Sequence, residues 1–200
     1  MSIVRPTDFS EESLRGWLNE VYKELLKTTG SWVLLDTQTA SSSATLDFTT
    51  GIDSTYDLYV FVLTSIIPQT DNTQLFLRVS EDGGANWQAD AADYGWTNTF
   101  ASGATTGTEN DASDSEIQVV SGMGTGTGES FNARIWMHNP SGSTYKQFGI
   151  ELETYTATPA VATAKGVGVY LSVNVINGVR FVCSSGNVAS GTVRLYGIRD

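Results

Sequence analysis

Residues 179–200 read VRFVCSSGNVASGTVRLYGIRD, and this stretch decides the fold class. Two runs, Val179 to Cys183 and Thr192 to Tyr196, alternate apolar and polar residues on either side of a small Ser- and Gly-rich connection. A side-chain period of two marks a strand with one covered face. Val179, Phe181 and Cys183 then share the covered side, while Arg194 and Tyr196 look outward. The stretch is expected to be a β-hairpin that closes a rigid shell, and nothing in it is catalytic in kind. Just upstream, Asn177-Gly178 separates Val173-Asn174-Val175-Ile176 from Val179-Arg180-Phe181-Val182 and predicts a further two-residue hairpin.

The same period runs back to Trp32. Residues 57–67, DLYVFVLTSII, are apolar on both faces and predict a central strand. Leu75, Leu77 and Val79 share one face of 74–80, and Phe131, Ala133, Ile135 and Met137 share one face of 129–138. Val169, Leu171, Val173 and Val175 do so in 168–175. Further strands are expected at 32–38, 44–48, 115–120 and 145–155, with turns at Asp82-Gly83-Gly84 and Asn139-Pro140-Ser141-Gly142. About ten short strands spaced by such turns predict a mainly β chain, an antiparallel β-sandwich of jelly-roll-like kind. Two stretches, 98–114 and 121–128, are small and polar and are expected to be loops.

Residues 1–30 differ. Pro6, Asp8 and Glu11 have the spacing of a helix start, and Gly30 supplies a stop. Leu14, Leu18, Val21 and Leu25 step by four, three and four, and Trp17, Tyr22 and Leu26 widen that stripe. The stripe is too short to hold a coiled coil alone, and Gly16 weakens it by about 1 kcal/mol against alanine. Two readings stay open: a helix packed on its own domain, or a docking and oligomerising segment. The second is preferred, because an amphipathic helix ahead of an all-β domain has no sheet it must cover. The chain thus divides into a helical docking segment, 1–30, and a β-sandwich domain, 31–200.

Bulk composition narrows the function. The 200 residues carry a formal charge of −11 with only 11 Lys and Arg, which argues against a phosphate-backbone partner. No run approaches the length of a membrane span, and MSIVRPTDFS lacks a basic region followed by an apolar one, so a soluble product made in the cytosol is expected. His138 is the single histidine and Cys183 the single cysteine, which leaves no dedicated zinc set and no disulfide framework. His138 falls on the outward side of its strand with Arg134 and Trp136, and Cys183 reads as a buried thiol. No phosphate-cradling glycine motif precedes a helix, so no cofactor is implied. Paired carboxylates for glycoside hydrolysis could be drawn from Asp82, Asp90, Asp93, Glu109, Asp111, Asp114 and Glu116, but spacing singles out no pair. The acidic stretch Glu109 to Glu116 offers oxygen ligands for calcium without EF-hand spacing, and reads better as a solvated loop. No catalytic residue is assigned, and no enzyme activity is expected.

Two local features remain. Ser80-Glu81-Asp82-Gly83-Gly84-Ala85-Asn86-Trp87 resembles the Asp-box of sialidases, S-x-D-x-G-x-T-W, with Asn86 in the threonine place. That motif is a turn device, so Asp82, Gly84 and Trp87 are expected to be structural. Downstream, Tyr94, Trp96 and Phe100 lie among Asp93, Asn98 and Thr99. Aromatic faces beside acidic and amide groups suit a glycan, which makes Asp93, Tyr94, Trp96 and Asn98 candidate receptor contacts; core or interface packing is the rival account.

Taken together, the region from Trp32 resembles a module of tailed-bacteriophage structural proteins. The resemblance is carried by Asp57-Leu58-Tyr59-Val60-Phe61, by Leu75 to Ser80 with the Asp-Gly-Gly turn and Trp87, and by the ending from Phe181 through Ile198. It implies a virion surface part, a trimeric tail-fibre or tail-appendage protein anchored to other virion proteins by its leading helix and exposing the sandwich to a host-surface glycan. A capsid decoration or head-fibre protein is the alternative within that class. A monomeric carbohydrate-binding module is the alternative from another, and a polysaccharide depolymerase is disfavoured because no internal repeat is present.

Overall fold

The structure is a computed structural model that describes residues 12–19, 21 and 31–199. Its strands are β1 (Trp32–Ser43), β2 (Thr45–Phe48), β3 (Leu58–Pro68), β4 (Thr73–Ser80), β5 (Tyr94–Ser102), β6 (Thr105–Asp114), β7 (Ile117–Met123), β8 (Ser130–His138), β9 (Lys146–Tyr155), β10 (Val161–Tyr170), β11 (Gly178–Cys183) and β12 (Val188–Ile198). They form an eight-stranded sheet, β1-β12-β3-β8-β9-β10-β5-β6, and a four-stranded sheet, β2-β11-β4-β7. Every pairing is antiparallel. The two sheets pack face to face as a sandwich.

The pairing is nested. β1 pairs with β12, β2 with β11, β3 with β8 and β4 with β7. This is the order of a jelly roll, expected from the turn spacing. Two hairpins are added to it, β5–β6 between β4 and β7 and β9–β10 after β8, and both widen only the larger sheet.

The core follows from the period of two. Phe131, Ala133, Ile135 and Met137 are buried along β8, as Leu75, Leu77 and Val79 are along β4. Phe61 of the large sheet meets Phe48 and Phe181 of the small one edge-to-face, with ring centroids 5.3 and 5.5 Å apart. Val60 is also fully buried although it faces away from the core, which explains why β3 is apolar on both faces. At Gly191 a φ of +120° and an approach that would put a Cβ 2.7 Å from the Ser65 carbonyl both demand glycine, and here β12 shifts register against β3.

Three expectations are corrected. The closing stretch is not a hairpin: β11 joins the small sheet and β12 the large one, so Ser184 to Asn187 crosses between them. Residues 171–177 are not a strand, and no hairpin turns at Asn177-Gly178. Their amides bond outside any ladder, Leu171 to the Asp93 carbonyl (2.8 Å), Ile176 to that of Pro140 (3.1 Å) and Asn177 to that of Ser80 (2.9 Å). Finally, 98–114 is not a loop but the greater part of the β5–β6 hairpin. As the outer edge of the large sheet, β6 buries no face fully and needs no apolar alternation.

Residues 12–19 and 21 are helical. Leu14, Trp17 and Val21 are half-buried, Leu18 is 53% exposed, and none of them enters the sandwich core. Tyr22 and Leu25, the other members of the expected stripe, lie outside the described residues.

Candidate functional site

No reactive constellation forms among the described residues. His138 is exposed at the end of β8. Cys183 is buried on β11, and burial pushes its thiol up to about 11, the opposite of an activated nucleophile. The carboxylates of 109–116 are strung along β6 and the turn after it, and no three His, Cys, Asp or Glu side chains converge as a metal site among the described residues.

The Asp-box-like turn is closed by its own side chains. Asp82 Oδ1 accepts from the Asn86 amide (2.8 Å), Asp82 Oδ2 from Asn86 Nδ2 (2.7 Å), and the Gly84 amide donates to Ser80 Oγ (2.9 Å). Trp87 lies under the Arg180 guanidinium, 4.3 Å from its ring centre, and Arg180 grips Asp47 with two bonds of 2.8 and 2.7 Å. Asn86, in the place of the motif's threonine, thus provides two of the donors to Asp82, and Ser80 Oγ provides another (2.8 Å). These bonds, the Asn86 amide first, hold the Asp82 carboxyl below its ordinary 3.8. A depressed folded-state value means that the turn is supported above pH 3.8 and loses that support as pH falls through the folded value. In a carbon-detected titration Asp82 is expected to have a midpoint below 3.8; a midpoint at or above it would show the cap to be open in solution.

The four candidate receptor contacts do not form one exposed surface. Tyr94 is fully buried; its hydroxyl accepts from the Val79 amide (2.9 Å) and donates to the Gln88 carbonyl (3.0 Å). Burial raises its phenol well above the usual range. Asp93 accepts from the Asp90 amide (2.7 Å), and Trp96 packs on the core while donating Nε1–H to Asp114 (2.9 Å). Alternation on β5 turns Tyr94, Trp96, Asn98 and Phe100 inward together, so Tyr94 and Trp96 are committed to packing.

The same alternation builds a cavity. Because β10, β5 and β6 extend beyond the small sheet, their inner faces overhang its edge strand, β7. Under the overhang is a space of about 220 Å³. Phe100, Val119, Leu152 and Ala164 give it apolar walls, and Asn98, Glu109 and Ser121 give it polar groups. Glu109 accepts from Gln118 Nε2 (2.7 Å) and Ser121 Oγ (3.2 Å). Asn98 Nδ2 donates to the Gln118 carbonyl (2.9 Å), whereas its buried Oδ1 has no donor. Glu109 was legible as a carboxylate in a stretch read as a loop, and Ser121 only as a member of another, because strand register alone brings them to Asn98.

A second surface lies on the outer face of the large sheet. Register aligns Leu34 with Tyr196, Tyr196 with Val60, Val60 with Trp136, Trp136 with Gly149 and Gly149 with Val167. Trp32, Ile198 and Leu58 form the next row. Trp32 is 50%, Leu34 53% and Val167 44% exposed, and Trp32 meets Tyr196 edge-on at 5.5 Å. Farther along the strands the face turns polar, with Arg134, Glu151 and Lys165 aligned and a Lys165–Glu151 ion pair of 2.7 Å.

No family model matches this chain. No curated protein matches it either. Among solved structures, "Crystal Structure of A. japonicus CB05" is similar to it at 11% identity and a TM-score of 0.32, over 88% of this chain and 27% of that one.

Proposed function

We propose that this chain is a structural protein of a tailed-bacteriophage particle, a homotrimeric fibre or tail-appendage component that assembles with its own kind and presents the sandwich for host-surface attachment. The observation that carries this reading is the aromatic and aliphatic band on the outer face of the large sheet. A solvated antiparallel face is ordinarily polar, and a contiguous apolar patch rimmed by charge marks a surface used for association. The chain brings a second apolar surface of its own, the helical stripe of Leu14, Trp17, Leu18 and Val21, and enters β1 at Trp32, on the border of the band. Two such surfaces on one chain favour self-association around a symmetry axis. The trimer and the particle come from the sequence resemblance.

Light scattering tests assembly. The intact protein is expected at a multiple of 21.5 kDa, and Leu14→Asp with Leu18→Asp at 21.5 kDa with its β-sheet circular dichroism unchanged. A monomeric parent, or a variant of unchanged mass, overturns the assembly reading. Cryo-electron images of the native particle test its setting: the sandwich is expected as an external appendage, and purified particles without the chain would overturn that placement.

A further inference from the structure

The cavity under β5 and β6 is separate from the outer band, and its chemistry is distinctive. At about 220 Å³ it falls below the ~300–1,000 Å³ of pockets for drug-sized ligands, which limits an occupant to a single small ring. No lysine or arginine lines it, and Glu109 brings a carboxylate to its wall. A phosphate or acidic sugar would therefore meet an uncompensated like charge.

Ser102, Ser121, Thr154 and Thr163 put hydroxyls on the walls, and Glu109 adds an acceptor with capacity to spare. Each Glu109 oxygen has lone pairs beyond the bonds from Gln118 and Ser121, and a carboxylate is a strong acceptor. Asn98 Oδ1 is the single buried side-chain acceptor without a partner among the described residues, on a side chain only 4% exposed. That oxygen has essentially no accessible surface and lies against the Gly166 backbone, where a Cβ would come within 1.7 Å of it, so an occupant of the cavity does not reach it. The apolar side is equally prepared. Gly107 faces Phe100 across the β5–β6 pair, and a Cβ there would lie 2.8 Å from the ring; glycine lets the ring rest on the backbone while it lines the cavity. An aromatic ring in a lining that also carries an acceptor complements a ring whose face is C–H and whose rim is O–H.

We infer that this cavity binds one neutral hexopyranose unit, with its hydroxyls donated to Glu109 and its apolar face against Phe100. The inference deepens the attachment part of the proposed function and rests on it for the source of the sugar, a host surface. It shifts the glycan contacts from the expected Asp93, Tyr94, Trp96 and Asn98 to Glu109 and Phe100 on the inner face of the β5–β6 hairpin.

The test is an amide-detected NMR titration of the full chain with glucose, galactose and mannose, and with glucose 6-phosphate as the anionic comparison. At least one neutral sugar is expected to shift the amides of Ser121, Gly122 and Thr163 saturably, and the phosphate to leave them in place. Glu109→Gln and Phe100→Leu are each expected to weaken that binding about tenfold. No saturable shift with any of the three sugars overturns the inference without use of a variant. So do shifts confined to other residues, tighter binding of the phosphate, or undiminished binding by both variants when their spectra remain folded. Free-sugar binding and oligomeric mass are independent readouts. A monomeric parent would sink the assembly reading and leave the cavity, whereas an empty cavity would leave the assembly.

Discussion

Phe61→Ala is expected to lower the unfolding free energy by about 3–5 kcal/mol, a large share of the ~5–15 kcal/mol that holds an ordinary domain together. Phe61 sits on β3, in the interior of the large sheet, and is fully buried. Its ring is the contact that joins the sheets, meeting Phe48 and Phe181 edge-to-face. Truncation removes the ring's own burial and leaves a hole that strands locked into two ladders cannot collapse around. It also deletes two aromatic pairs, each worth about 0.5–1.5 kcal/mol beyond area. Urea unfolding followed by tryptophan fluorescence measures the effect. A loss below about 1 kcal/mol would mean that the sandwich is not held by this cluster.

The second large effect is expected from a charged residue. Lys146 is completely buried, and its ammonium donates to the carbonyls of Thr144 (2.7 Å) and Val173 (3.2 Å) and to that of Gly142. Desolvation lowers the lysine's proton affinity, so burial alone disfavours the charge, and the three carbonyls answer that cost. Lys146→Met keeps the volume but deprives those carbonyls of their donor, at about 1–3 kcal/mol for each one left unmet. The loss is expected to be concentrated where the carbonyls are. Hydrogen exchange should accelerate first in 142–145 and 171–177 while β8 and β3 stay protected. Uniform acceleration, or unchanged exchange, would refute this role.

Lys146 also shows what a sequence withholds. It stands at the head of β9, in a stretch that reads as an ordinary strand start, and no local pattern marks a lysine that also reaches a carbonyl 27 residues away. Burial against one face, by contrast, was legible wherever one face packs: β3, β4 and β8 announce themselves through DLYVFVLTSII, QLFLRVS and ESFNARIWMH. The β5–β6 hairpin escaped because its outer strand, TTGTENDASD, is almost wholly wet and owes its strand form to backbone pairing with β5. Residues 171–177 misled in the opposite sense. Val173 and Val175 alternate like a strand, yet they are exposed, and their segment travels from one sheet to the other. The cavity shares this origin: Asn98 was visible as a polar residue among aromatics, but Glu109 belongs to β6, which alternation could not identify, and Ser121 lies just past the strand expected at 115–120.

The nesting of the strand pairs imposes a schedule on folding. β4 can find β7, and β3 can find β8, while much of the chain is still unmade, but Trp32 meets Ile198 only at the close. The entropy of closing a loop grows with the logarithm of its length, about 0.6 kcal/mol per doubling, so each successive pair is cheapest once the pair inside it has formed. Topologies of this kind fold slowly, over milliseconds to seconds. In that interval β1 holds Trp32 and Leu34 with no neighbour, and a nascent chain is most open to capture by another at the strand that comes home last.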